Sequence, residues 1–282
     1  MFIFLQKILP KKALSFAVGA VSRLTLGPFT NWTIRLYISI YKVDMSDSKI
    51  QNLSDFHTFN QFFTRELMES ARSQPNDKNK ISSPVDGTIS QCGHIKSETL
   101  IQAKGRGYTL KNLLGDNELA HIFLNGTFHT IYLAPYNYHR VHMPMNGATC
   151  FLRYCPGHLF SVNKKTVAGI ANLFCVNERA SIIYKNSKGY FGIVMVGALN
   201  VGGIQLDTEL KEDFYNRPIN NLIPHTTHLF KGAMKSRGSE LGRFNMGSTI
   251  ILLTSNNLAS WDHFNSPGTT IRVGDYLGGH LN

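Results

Sequence analysis

The chain has 282 residues, with 29 Lys and Arg against 18 Asp and Glu, for a formal charge of +11. Hydrophobic residues at 43% and charged residues at 17% exclude a disordered or fibrous chain and allow a sizeable core, in one large domain or two small ones. A surface this basic attracts polyanions, whether nucleic acid, anionic lipid headgroups or anionic substrates, and composition alone does not choose among them.

From Met1 to Val43 there is no acidic residue, while Lys7, Lys11, Lys12, Arg23, Arg35 and Lys42 are basic. Apolar runs lie between them, at Met1–Leu5, Ala13–Ser22, Leu24–Ile34 and Leu36–Tyr41. The longest stretch without a charge is 11 residues, well short of the roughly 20 needed to span a bilayer. Such a segment suits amphipathic helices lying in a membrane interface, with Lys and Arg at the headgroups and Phe, Leu and Trp32 in the acyl boundary. Two other readings stand beside it. Lys11-Lys12 followed by the apolar Ala13–Ala20 imitates a secretory signal, and the stretch also suits helical packing against a partner subunit.

His57–Leu67 reads as a helix, because Thr58 and Gln61 have capping-box spacing and Phe59, Phe62 and Phe63 supply an apolar face. Ser70–Lys80, with Pro75, Asn76 and Asp77, reads as a loop joining two parts: N-terminal membrane-interface helices over 1–70 and a β-rich main domain over 71–282. Leu110–Leu114 and Ser161–Val167 fit short helices. Thr127–Leu133 is β-prone, and Ala180–Lys185 leads through Asn186-Ser187-Lys188-Gly189 into Tyr190–Leu199, the pattern of a hairpin. Thr249–Thr254 is a further strand. The expectation is an α+β fold with a mainly antiparallel β core and helices gathered at the N-terminus. Cys92, Cys150, Cys155 and Cys175 form neither a C-x-x-C pair nor zinc spacing with histidine, so they read as reduced, mostly buried thiols, and no metal site is expected.

Three short segments carry chemistry. Ser83-Pro84-Val85-Asp86-Gly87 is, taken alone, a turn in which proline fixes φ and Asp-Gly tolerates tight geometry. Tyr138-His139-Arg140-Val141-His142-Met143-Pro144 holds two histidines three apart. They cannot share one face of an extended strand, and no third metal ligand is spaced nearby. Gly238–Thr249 ends in Gly247-Ser248-Thr249 and runs straight into a strand. Gly-Ser-Thr usually marks a turn, yet it is also what serine attack on the preceding carbonyl requires, since glycine leaves that carbonyl open to approach.

Together these segments resemble the phosphatidylserine decarboxylase family, and the resemblance extends over nearly the whole chain. It includes Tyr41-Lys42-Val43-Asp44, Thr58-Phe59-Asn60-Gln61-Phe62-Phe63-Thr64-Arg65, Ile101-Gln102-Ala103-Lys104-Gly105 and Asn125-Gly126-Thr127-Phe128. It continues through Pro156–Asn163, Asn172-Leu173-Phe174 and Asn177-Glu178-Arg179. The departures are mild: Met246 stands where the family usually has Leu before Gly-Ser-Thr, and Val85 where it usually has Ala.

The resemblance implies that Asp86, His142 and Ser248 form a charge-relay triad acting once, on the chain itself. Cleavage between Gly247 and Ser248 would give a β chain (1–247) and an α chain (248–282) that begins with a covalent pyruvoyl cofactor made from Ser248. That ketone would take the substrate amine as a Schiff base and accept the electrons released with CO2, turning phosphatidylserine into phosphatidylethanolamine. His139 is the candidate for handling the substrate carboxylate or the returning proton. Expected partners are phosphatidylserine, an anionic membrane surface at the cytoplasmic face, and the two chains of one precursor. A homodimer is left open, and no nucleic-acid partner is expected. Two rival classes are a membrane-associated serine hydrolase using the same three residues in turnover and a non-enzymatic basic lipid-binding module. Scattered rather than interleaved aromatics argue against a nucleic-acid platform.

Overall fold

The computed structural model of the chain describes residues 6, 8–199, 203–206, 226–229, 232, 234–245, 247–263 and 265–281. Within these residues the fold is α+β and its sheets are mainly antiparallel. The largest sheet runs in the order Thr226–Leu229, Gly147–Cys155, Arg179–Asn186, Gly189–Val196, Ser248–Thr254, Thr127–Leu133, Gly87–His94, Thr270–Ile271, with Met234–Lys235 pairing beside Gly147. Every residue of Ser248–Thr254 is buried. A strand covered on both faces needs no polar alternation, which is why Thr-Ile-Ile-Leu-Leu-Thr reads as a continuous apolar run. A second sheet joins Ile204–Leu206, Glu240–Phe244 and Arg140–His142, and a third joins Lys80–Ser82, Tyr276–His280 and Ala259–Trp261.

Two helices precede the sheets, Lys11–Ser22 and Pro28–Tyr41. Gly27, at φ 54, turns the chain between them, and Pro28 opens the second helix where a missing N–H costs nothing. The first helix is inside out. It buries Lys11, Ser15, Gly19 and Ser22 against the body and leaves Leu14, Phe16 and Val21 exposed, the reverse of a helix in water. The second helix buries Thr30 and Ile34. Its Tyr37 packs edge-on against Phe59 at 5.2 Å and donates a hydrogen bond to the Pro135 carbonyl at 3.1 Å. Its other face exposes Phe29, Leu36, Ile40 and Trp32, the last at 56%. Met1–Leu5 lies outside the described residues. No described helix is long and apolar enough to cross a membrane.

Several expected elements are found with little change. Leu110–Leu114 and Thr127–Leu133 match their expected bounds, and the hairpin is Arg179–Asn186 with Gly189–Val196. The helix expected over Ser161–Val167 forms at Lys164–Gly169, three residues later, because Asn163 Oδ1 caps it by accepting from Thr166 N at 2.9 Å. The helix expected over His57–Leu67 is only Phe59–Phe63. Thr58 Oγ1 caps it by accepting from Gln61 N at 3.0 Å, and Gln61 Oε1 reaches back one residue beyond the cap, accepting from His57 N at 2.8 Å. The chain then leaves the helix because Thr64 bonds back to the Asn60 carbonyl, while Glu66 and Leu67 pair with Lys49 and Ser48. All four cysteines are free, and only Cys155 is fully buried, which corrects the expectation of mostly buried thiols.

Candidate active site

Ser248 opens the central strand opposite Leu133, the last residue of Thr127–Leu133. The chain leaving Leu133 passes through Ala134–His139 before starting Arg140–His142, and Phe244 N donates to the His139 carbonyl at 3.0 Å. Register therefore carries the His139 segment toward the end of Glu240–Phe244 that leads to Gly247. His142 lies at the far end, opposite Glu240.

The Ser248 hydroxyl is fully buried and has no hydrogen-bond partner among the described residues. A buried polar group left unpaired is costly, and such costs cluster where chemistry needs them. Gly247 has the opposite surroundings: among the described residues, chain neighbours aside, a Cβ built there would meet nothing within 4 Å. The serine oxygen is thus uncommitted and the backbone before it uncrowded, which fits a site where that oxygen is converted into another group. Met246 lies outside the described residues.

His139 is fully buried. Its Nδ1 donates to the Asn137 carbonyl at 2.8 Å, and its ring packs 4.2 Å from that of Phe63. Nε2 is consequently a bare acceptor, with no partner among the described residues. Burial pushes this imidazole down to about 3. His142 is held differently: Nδ1 donates to the Gly238 carbonyl at 2.8 Å, and Nε2 accepts from the Tyr138 hydroxyl at 3.0 Å. Burial lowers its basicity, opposed by the Gly238 hydrogen bond and by the negative charges of Glu240 and Asp86.

Asp86 is buried beside this group and does not hydrogen-bond to His142. Its carboxylate accepts Arg72 Nε at 3.2 Å and Arg72 Nη2 at 2.6 Å, while Val273 N donates to Oδ1 at 2.8 Å. The Asp86 and His142 segments meet through the backbone instead, with His142 N donating to the Pro84 carbonyl at 2.8 Å. Arg72 also pairs with Asp47 at 2.6 Å. The expected triad residues therefore come from adjoining segments but are not joined as one hydrogen-bonded chain: Arg72 takes the carboxylate, and Tyr138 and Gly238 take the imidazole. Sequence reading gave Arg72 and Tyr138 no role. Tyr138 stood inside the histidine segment, whereas nothing local marked Arg72 in its polar loop. A cavity of about 360 Å³ opens beside His142, lined also by Arg72, Tyr138, Gly238, Glu240 and Val273. Among the described residues no group of three or more His, Cys, Asp or Glu is placed to hold a metal.

A central strand that begins on a buried serine, with two histidines and a clamped aspartate on the adjoining segments, defines a β-rich protein with a cluster of polar, titratable groups buried at the start of its central strand. Comparison with known proteins gives that class a family. A family model described as phosphatidylserine decarboxylase matches residues 59–279, and a second, described as PSD, matches residues 1–42. The chain is 39% identical to the phosphatidylserine decarboxylase proenzyme of Alcanivorax borkumensis, covering 100% of this chain and 97% of that one. It is 39% identical to the proenzyme of the same name from Coxiella burnetii (97% and 96% covered) and 37% identical to that from Ectopseudomonas mendocina (99% and 97% covered). The chain belongs to the phosphatidylserine decarboxylase family.

Proposed function

We propose that this chain is the precursor of an enzyme that decarboxylates phosphatidylserine to phosphatidylethanolamine and that matures by cutting itself between Gly247 and Ser248. The observation that carries this reading is the buried, unpartnered Ser248 hydroxyl behind an uncrowded Gly247, in a chain whose full-length relatives are named proenzymes. Ser248 Oγ attacks the Gly247 carbonyl and replaces the amide by an ester. Elimination across Cα–Cβ of Ser248 releases residues 1–247 as a carboxylate and leaves dehydroalanine. Its imine tautomer takes up water and loses ammonia, so that residues 248–282 begin with a pyruvoyl group. That group supplies an electron sink for the carbon losing CO2.

His142 accepts the serine proton in maturation, which requires its segment and that of Ser248 to close up, since the register holds His142 at the end of Glu240–Phe244 away from Gly247, and Asp86 stabilises the resulting imidazolium through space. What supports the part given to Asp86 is that its negative charge, after that of Glu240, favours the charged imidazole against the effect of burial. Because the Tyr138 hydroxyl occupies Nε2, it must give up that nitrogen before the proton can move. His139 serves turnover: its bare Nε2, in a dry setting, takes a proton readily only when a negative group such as the substrate carboxylate comes alongside.

The enzyme works at the cytoplasmic face of a membrane without crossing it. The inside-out Lys11–Ser22 helix and the exposed face of Pro28–Tyr41 rest in the interface, with Phe29 and Trp32 in the acyl boundary. The test is denaturing mass spectrometry together with a phosphatidylserine turnover assay. Wild type should give two chains and activity, and Ser248→Ala one intact chain and none. Full decarboxylation by uncleaved Ser248→Ala would sink the proposal.

A further inference from the structure

A second cavity, of about 500 Å³, lies between the Phe59–Phe63 helix and the small sheet, and its lining includes Lys49, Asn60, Arg65, Glu66, Arg140 and Arg243. Its charges are not balanced by its own pairs. Lys49 meets Glu66 at 2.9 Å, and Arg140 meets Glu240 at 2.8 Å and Glu66 at 3.4 Å. Arg65 and Arg243 have no carboxylate within 4.0 Å among the described residues. Arg65 is 6% exposed, and among the described residues its Nε has no partner and its one side-chain hydrogen bond is a 3.5 Å contact to the Tyr136 carbonyl. The ring of Phe62, 5.8 Å away, is its other neighbour of note. Among the described residues Arg243 donates Nε only to the neutral Gln205 amide, at 2.9 Å, and it stands directly opposite Arg140 on the strand ladder. Burial works against the charge of both guanidiniums. Like charges facing across a ladder, and a buried cation without an anion, are both unfavourable. A bound anion removes both penalties.

We propose that Arg65 and Arg243 bind the phosphodiester of the lipid substrate in this cavity. The assignment rests on the decarboxylase reading and adds to it where the headgroup is held. Position favours a lipid phosphate over a free one. Phe59 lines a separate apolar cavity of about 360 Å³ with Val18, Val21, Leu26 and Phe29, while its neighbours Thr58 and Asn60 line the cationic one. On the far side, Asn60 Nδ2 reaches the Asn245 carbonyl at 3.3 Å, two residues before Gly247. Apolar cavity, cations and reacting segment thus follow one another in the order of acyl chain, phosphodiester and serine headgroup. Guanidinium forks suit that anion by geometry as well as charge.

The experiment uses the self-cleaved enzyme with short-chain phosphatidylserine, and sn-glycero-3-phosphoserine and inorganic phosphate as competing probes. Arg243→Gln should raise KM about tenfold or more, the scale of a lost hydrogen bond to a charged group. Its effect on kcat should be smaller, and Arg243→Lys should recover part of the loss. Glycerophosphoserine should inhibit wild type and lose potency against Arg243→Gln by a similar factor. Arg65→Lys, which keeps the charge but not the fork, is the second variant should Arg243→Gln fail to cleave itself on a gel. Unchanged KM in the cleaved variants overturns the assignment. So does inhibition by inorganic phosphate as potent as that by glycerophosphoserine, which would make this a free-phosphate site. A wild-type enzyme that turns over no phosphatidylserine defeats the functional reading instead, so the two failures are distinct.

Discussion

The Tyr138 hydroxyl lies 3.0 Å from Nε2 of His142, while Nδ1 of the same ring lies 2.8 Å from the Gly238 carbonyl. The carbonyl can only accept, so Nδ1 carries the proton and Nε2 receives the phenol hydrogen. A nitrogen already receiving a hydrogen bond is a poorer base. Tyr138→Phe should therefore cleave itself at least as fast as wild type, whereas His142→Ala should accumulate the uncut precursor. A time course of cleavage after synthesis measures both, and loss of cleavage in Tyr138→Phe would show that the phenol takes part in the proton transfer.

His139 should separate from His142 by stage. His139→Ala should still give two chains yet lose most turnover on phosphatidylserine, because the bare Nε2 is then missing. Scoring cleavage by mass and turnover by CO2 release decides it, and normal turnover in cleaved His139→Ala defeats the role.

The Arg72 clamp predicts a sharp asymmetry. Arg72 joins buried Asp86 to Asp47, each at 2.6 Å. Removing one partner of a buried pair costs about 3–5 kcal/mol because the other is left unpaired. Arg72→Met alone should be strongly destabilising, and Arg72→Met with Asp86→Asn distinctly less so than the sum of the single variants. Denaturant unfolding of the four proteins gives the coupling. Additive losses would mean that the pair is not coupled.

Acid should weaken the fold through histidines that are buried neutral. His129 is pushed down to about 4 and His139 to about 3, from an ordinary 6.5, in both cases by burial. With the folded values depressed, the unfolded chain binds more protons below pH 6.5. The stability these rings contribute is intact above that point and is lost as pH falls through the folded values. His129, which packs 4.2 Å from Trp261 and has no part in the site, isolates the effect. Melting at about pH 7.5 and about pH 5 should show a smaller acid loss for His129→Phe than for wild type. Equal losses would assign acid sensitivity to other groups.

Local signals made the short elements legible. Leu110–Leu114 and the Asn186–Gly189 turn are decided within a few residues, and the sheet and strand readings followed from apolar runs. What lay beyond reach was competition between distant partners. Thr58 and Gln61 announce the start of their helix, but its early end depends on residues 48 and 49 pairing with 66 and 67. The site divided in the same way. Ser248, His139, His142 and Asp86 could be named because each sits in a short motif. The clamp on Asp86 comes from a loop 14 residues upstream. The two arginines of the cationic cavity, unpaired among the described residues, lie far apart in the chain, one after the Phe59–Phe63 helix and one in Glu240–Phe244, and nothing in either segment shows that its charge goes uncompensated.

The placement of Ser248–Thr254 between Gly189–Val196 and Thr127–Leu133 governs what cutting the chain can do. Residues 248–282 also pair through Thr270–Ile271 with Gly87–Thr88 and through Tyr276–His280 with Lys80–Ser82, and Val273 N is bound by Asp86. A cut before residue 248 removes one covalent bond and leaves these ladders in place, so the fragment is retained as an interior layer and not as a docked peptide. Before the cut, unfolding and refolding involve one molecule. Afterwards refolding requires two molecules to meet, and the smaller carries strands that have no sheet of their own. The proposed maturation would thus be a one-way step for assembly as well as for chemistry: the precursor folds as a single chain, and once cut its persistence would depend on how slowly it opens rather than on how readily it can re-form.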